Sequence, residues 1–349
     1  MGIDFGTVAA AIAANPILAL IIALCLGATF VNGATDAPNA IATIVGTRAM
    51  SPKKALAMAA ILNFIGLVVI TSFSTAVAGT IFSMVDFGGD NHAALIALAA
   101  AMIAIIVWGV AAWMMGIPTS QSHSLIAGLI GAAIALQGGV AGVNGGEVMK
   151  VVYGLVVSTG LGFGFGWGIS RLLRVLCRSL DRRRGNRFFK GAQVVAGAGV
   201  ALLHGAQDGQ KFLSLCLLGI MLGVYGTSDL PPEMPLWLAV IVSLTISLGT
   251  ALGGRKIIKS VGVNMVKMEP YQGFAACLSS CLCIGLATFT GMPVSTTHTN
   301  TTAVMGVGAE KRLRAVRWDT AGSMVLTWVL TFPGCGLLAF AFTHLMLLL

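Results

Sequence analysis

Two aspartates and two serine-rich clusters, each cluster ending in histidine, are the residues here whose types and spacing suit chemistry. NGATDAPN, residues 32–39, and HGAQDGQK, residues 204–211, both read x-Gly-Ala-x-Asp-x-x-x. GIPTSQSH, residues 116–123, and GMPVSTTH, residues 291–298, both read Gly-x-Pro-x-Ser-x-Ser/Thr-His. The order is the same in each half and the interval from Asp motif to Ser motif nearly so. Asp36 and Asp208 lie in strongly apolar surroundings, where an ionisable side chain costs roughly 2.5–3.5 kcal/mol on insertion scales. Helix capping alone is the plain alternative, since Pro38 suits a first helical turn. A cap, however, does not require a charge in both halves. Helices broken at the two Asp motifs would free backbone carbonyls for a cation and N–H groups for an anion.

Around the aspartates, Asn39 offers a neutral oxygen and two donors, and Gln207 and Gln210 offer similar groups. Lys211 stands where the first half has Asn39. It is suited to neutralise Asp208, to stand in for a bound cation or to titrate; snorkelling to an interface is the structural alternative. In the Ser motifs, a proline placed in a first helical turn sets Thr119, Ser120, Gln121 and Ser122 at one helix N-terminus and Ser295, Thr296 and Thr297 at the other. Free N–H groups, the helix dipole and hydroxyls together make an oxyanion cradle. His123 and His298 either fix the hairpins by hydrogen bonding or transfer protons. A Ser120–His123 nucleophile and base fits poorly. Duplication would give two opposed active sites, and nothing marks an oxyanion hole distinct from the cradle. An enzyme is therefore not expected.

Positioning these groups falls to a membrane scaffold. Of 349 residues, 57% are hydrophobic and 9% charged, and the mean hydropathy is +0.92, which describes an all-α polytopic membrane protein. The start of the chain lacks the basic segment of a cleavable signal, so its first apolar stretch reads as a retained span. The 45 glycines suit close helix packing. The seven cysteines have no metal-ligand spacing and read as small buried hydrophobes. Eight of the 21 basic residues fall between Arg171 and Lys190, which marks a cytoplasmic loop of a plasma-membrane protein. No aromatic or motif partner accompanies that run, so nucleic acid is not an expected partner.

Three pairs of corresponding loops carry opposite charge bias. RAMSPKK is basic where YGTSDLPPEMP is acidic; MVDFGGDNH is acidic where GGRKIIKSVGVNMVKMEP is basic; QGGVAGVNGGE has one acid where GAEKRLRAVRW is strongly basic. Corresponding loops therefore face opposite sides of the bilayer, and the halves are inverted-topology repeats. The expected organisation is a first repeat over 1–170, a basic linker over 171–190 and a second repeat over 191–349. Within the first repeat the spans are a broken one over 10–46, a return over 55–83, a hairpin of 93–115 with 118–137, and a crossing at 148–170. The second has a broken span over 190–224, a span over 236–252, a hairpin over 270–308 and a last span over 318–347. The two helical hairpins are taken as re-entrant, though span parity is the same if they cross fully.

At these residues the chain resembles the inorganic phosphate transporter (PiT) family, which carries Gly-Ala-Asn-Asp-x-x-Asn in each inverted half and Pro-x-Ser-x-Thr-His hairpins. The matches are Gly33-Ala34-Thr35-Asp36-Ala37-Pro38-Asn39, Gly205-Ala206-Gln207-Asp208-Gly209-Gln210-Lys211, both Ser hairpins and SLGTALGGRKIIKSVG at 247–262. They run through nearly the whole chain. The resemblance implies a secondary transporter importing inorganic phosphate by alternating access, coupled to sodium or protons, with hairpins at a central site and often a homodimer. It implies sodium or proton coupling at Asp36, Asn39 and Asp208, with Gln210 and Lys211 beside them, and sodium as the metal at the first three if sodium is the ion. It implies phosphate at Ser120, Gln121, Ser122, Ser295, Thr296 and Thr297, and Thr119 belongs to the same cradle. No covalent cofactor is expected. The departures are Thr35 and Gln207 in place of the signature asparagine and Lys211 in place of the last one, which puts one of two symmetric sodium sites in question. A sulfate permease of the same fold and an anion channel are the alternatives.

Overall fold

A computed structural model describes residues 3–88, 90–115, 119–253, 258 and 265–348. Gly116, Ile117 and Pro118 of the first Ser motif lie outside the described residues, as does most of 254–264 in the second half's basic loop. The first half contains α1 (Phe5–Ala14), α2 (Pro16–Thr35), α3 (Ala37–Gly46), α4 (Pro52–Phe73), α5 (Ala76–Phe82), α6 (Asn91–Met115), α7 (Gln121–Gln137) and α8 (Gly145–Leu176). The second contains α9 (Arg182–Ile220), α10 (Leu236–Leu252), α11 (Pro270–Phe289), α12 (Thr296–Lys311) and α13 (Trp318–Leu347). Among the described residues, six helical stretches are long and apolar enough to cross a bilayer.

The packing repeats itself when the halves are exchanged. α2 lies on α10 and α9 on α4; α7 lies on α13 and α12 on α8; α6 follows α2 as α11 follows α9. The loops obey the same exchange. An isolated bridge joins Val85 to Val143, before α6 and α8, and its counterpart joins Val266 to Val316, before α11 and α13.

Charge separates by face. Asp86 N donates to Gly142 O, which ties the loop before α6 to the acidic one leading into α8. On the other face Arg174, at the end of α8, pairs with Glu310, and Lys311 pairs with Glu269. The basic end of α8, the exit of α12 and the entry of α11 are thus held together. Most of the basic 171–190 stretch is helical, with only Cys177–Asp181 between α8 and α9. Asp181 caps α9 by accepting from Arg183 N and Arg184 N at 3.1 and 2.9 Å.

Only one of the two expected helix breaks is present. The interruption at Asp36 is a single residue between α2 and α3. Pro38 has no N–H to give Ala34 four residues earlier, and Asn39 N instead bonds Asp36 O in a tighter turn. The second Asp motif lies inside the continuous α9. Gln210 stands where the first half has Pro38 and keeps its N–H, so nothing breaks the ladder. The return span is itself divided at Ser74–Thr75 into α4 and α5.

The motif glycines explain why α2 and α9 can carry the site so close to the partner half. A Cβ on Gly33 would fall on Ile246 O of α10, and one on Gly205 would fall on the Asn63 backbone of α4. The two crossings are backbone against backbone, which lipid-embedded helices achieve with small residues. We expect Gly33→Val and Gly205→Val each to destabilise by about 1–3 kcal/mol through forced separation of these helices. Gly164→Val, where a Cβ meets nothing within 4 Å, serves as the neutral control in thermal unfolding of the detergent-solubilised protein.

Candidate functional site

The N-termini of α7 and α12 meet in the interior. Ser120 is the N-cap of α7 and Ser295 of α12; their Oγ atoms accept from His123 N at 3.3 Å and His298 N at 3.2 Å. The two serine hydroxyls share a hydrogen bond of 2.8 Å. This is the crowned helix start expected from the sequence, with one correction. Pro293 precedes the Ser295 cap rather than sitting in the first helical turn, because Ser295 is extended and the helix starts only at Thr296.

Each Asp motif docks onto both hairpins by equivalent contacts. Asp36 Oδ2 accepts from Gln121 N at 3.2 Å, and Asp208 Oδ2 accepts from Thr296 Oγ1 at 3.1 Å. Asn39 Nδ2 donates to Thr297 Oγ1 at 3.0 Å, and Lys211 Nζ donates to Ser122 Oγ at 2.7 Å. In the aligned repeats Gln121 corresponds to Thr296, Ser122 to Thr297 and Asn39 to Lys211. The contacts therefore map onto each other while their chemistry differs. Lys211 also donates to Asp208 Oδ1 at 2.7 Å and to Val294 O at 2.5 Å.

Asp36, Asn39, Asp208, Lys211, Ser120, Gln121, Ser122, Ser295, Thr296 and Thr297 are all buried. They form one cluster closed to both faces. Two residues named from the sequence point elsewhere. Thr119 Oγ1 lies 3.1 Å from Thr331 Oγ1, a hydroxyl that also accepts from Trp108 Nε1, so Thr119 fastens the hairpin to α13. Gln210 spends both ends of its amide on the α4–α5 turn, giving Nε2–H to Ser74 O at 2.7 Å and accepting from Ala78 N at 3.4 Å.

His123 and His298 pack edge to face, with centroids 4.3 Å apart. His298 also stacks on Trp328, and His123 Nδ1 lies 3.2 Å from Trp328 O. They join the hairpins to each other and to α13 just behind the serines.

Sequence reasoning passed over three residues. Asn32 reaches across the halves, its Nδ2 donating to Asp208 Oδ2 at 3.3 Å. His204 Nε2 lies 3.2 Å from the same oxygen, and His204 Nδ1 is 3.1 Å from Asn63 Oδ1. Asn32 and His204 occupy one repeat position, four residues before each aspartate, which on a helix is the same face. Aligning the motifs from their first letter exposes that signal. Asn63 has no repeat signature.

This geometry can be set beside known proteins. A family model described as "Phosphate transporter family" matches residues 32–184 and 177–339. A protein of Bacillus subtilis named as a probable low-affinity inorganic phosphate transporter is 34% identical over 91% of this chain and 93% of its own length. One from Rhizobium meliloti with the same description is 36% identical over 93% and 95%. Among solved structures, one titled "The sodium-dependent phosphate transporter" superposes with a TM-score of 0.86, covering 96% of this chain and all of the other at 24% identity, and so shows the shared fold. Inverted halves with two Asp motifs docked on two serine-capped hairpins are thus found in a chain whose sequence matches that family almost end to end, and the chain belongs to the phosphate transporter family.

Proposed function

We propose that the chain is a secondary transporter that imports inorganic phosphate in symport with a cation, sodium or proton, through the cluster at the hairpin tips. The observation that carries this reading is the meeting of two helix N-termini at the Ser120–Ser295 contact. Helix starts present N–H groups and a favourable dipole to an anion. In the bound state a tetrahedral oxyanion takes the place of the serine–serine hydrogen bond, held by Ser120 and Ser295 with Gln121, Ser122, Thr296 and Thr297 around it. Separate alignment of the two hairpins against the rest of the bundle then opens the cluster to one face or the other. In this reading the hairpins re-enter, each leaving on the face where it began. The basic face, with 171–190, is cytoplasmic by the positive-inside rule.

Coupling follows from charge. A phosphate anion beside an ionised Asp36 is repelled; at about 4 Å and an effective dielectric near 20, two like charges cost roughly 4 kcal/mol. Among the described residues no lysine, arginine or histidine pairs with Asp36, so an exchangeable cation must supply the compensation. The first-half residues suit a hard cation such as sodium. Three residues along from Asp36, Asn39 Oδ1 is a buried oxygen with no hydrogen-bond partner, and carboxylate and amide oxygens are the donors such ions take. When bound there, sodium would supply positive charge and orient these oxygens. Cation and phosphate then bind with positive linkage, each raising the affinity of the other by the same factor.

Relatives described as low-affinity inorganic phosphate transporters support phosphate over sulfate, and the closed cluster with its two acids is unlike an open anion pore. In proteoliposomes we expect phosphate to accumulate above equilibrium under an inward sodium or proton gradient, the two varied separately. Downhill flux indifferent to both gradients would indicate a channel instead. Asp36→Asn should lower gradient-driven uptake at least tenfold, with a monodisperse gel-filtration profile retained; equal loss of folded protein would return Asp36 to a structural role. Ser295→Ala removes one donor to a charged oxygen, worth about 1.5–3 kcal/mol. The phosphate KM should therefore rise ten- to a hundredfold.

A further inference from the structure

We propose that Lys211 is a built-in cation. Its ammonium group fills the position beside Asp208 that the first half leaves to an exchangeable ion, so the chain loads one coupling cation, at Asp36, and not two. This rests on the symport reading above and specifies how many metal ions it uses.

The two halves make the comparison internal. Asn39 and Lys211 occupy the same repeat position, and each donates to the equivalent hydroxyl of the opposite hairpin, Thr297 and Ser122. The asparagine amide does this with one nitrogen and leaves its buried Oδ1 without a partner. The lysine has no oxygen to offer, and its three protons meet three acceptors: Asp208 Oδ1, Ser122 Oγ and Val294 O. The ammonium is fully buried and fully coordinated, as a bound monovalent cation would be.

The carboxylates differ in the same sense. Asp208 Oδ1 faces the ammonium, while its Oδ2 accepts from Asn32 Nδ2 and Thr296 Oγ1 and has His204 Nε2 at 3.2 Å. Both oxygens are surrounded by nitrogen and hydroxyl donors, a poor fit to a sodium ion, which needs oxygen acceptors turned toward it. Among the described residues Asp36 receives the Gln121 N–H at 3.2 Å and the Thr35 hydroxyl at 3.3 Å and faces the Thr297 hydroxyl, with no ammonium beside it. His204 apart, two carboxylates and one ammonium leave a single negative charge, which one monovalent cation cancels. The lysine charge is tethered to α9 and does not cross with phosphate, so each phosphate is accompanied by one metal cation fewer than a fully symmetric site would carry.

The test counts bound ions on the full chain in detergent, with radioactive sodium at saturating phosphate and radioactive phosphate bound to the same preparation. Wild-type protein is expected to bind at most one sodium per chain. Lys211→Asn, which installs the first-half residue, is expected to bind one more than wild type, and Asp36→Asn one fewer wherever wild type binds one. Two sodium ions on the wild type, or no gain in folded Lys211→Asn protein, would overturn the proposal. If Lys211→Asn does not fold, the wild-type count decides it. Absence of phosphate binding would instead refute the transport reading, and the sodium count would stand apart from it.

Discussion

The arrangement depends on burying two carboxylates in the middle of a membrane bundle without leaving either uncompensated. An isolated buried charge is costly enough to neutralise or unfold its surroundings. Here the constraint is met twice by different means. Asp208 is enclosed by Lys211, Asn32, Thr296 and His204; Asp36 is given a backbone N–H and the hydroxyls of Thr35 and Thr297. The first arrangement is complete within the protein. In the proposed symport the second reaches balance when an ion arrives, and that ion also removes the repulsion facing an incoming anion. On that proposal, coupling follows from the charge left uncompensated in one half.

Inverted duplication puts the two Asp motifs and the two serine-capped helix starts in one place. Each half contributes an Asp-bearing helix and a serine-capped hairpin, and the exchange of halves brings both helix N-termini to a common point where neither could assemble the cradle alone. Gly33 and Gly205 let α2 and α9 run against the backbones of α10 and α4. His123, His298 and Trp328 stack behind the serines and hold the tips in register. Under the proposed alternating access, opening toward either face would move a hairpin with its cap, a discrete rearrangement of packed pieces.

The halves, the inversion and the meeting of the Asp and Ser motifs were legible in the sequence, because repeated letters and loop charges are one-dimensional signals. Local backbone was less so. The motif containing Asp208 reads like the one containing Asp36, yet the helix breaks only where Pro38 removes an N–H; similarity of motif outweighed a difference of one residue that decides the ladder. Proline before Ser295 suggested a first helical turn and turned out to lead into the cap. Thr119 and Gln210 are polar and adjacent to the right residues, but their side chains leave on other faces and satisfy Thr331 and the α4–α5 turn. Asn63 was invisible because its importance comes from the partner helix, with nothing repeated around it.

The central claim is that the anion binds where Ser120 and Ser295 now touch. Arsenate has the shape and charge of phosphate and a strong anomalous signal, so a crystal structure of the protein grown with arsenate tests this directly. The expected result is one anomalous peak between the tips of α7 and α12, within hydrogen-bonding distance of both serine hydroxyls, which are themselves drawn apart. An anomalous peak elsewhere, with the Ser120–Ser295 hydrogen bond intact, would contradict it.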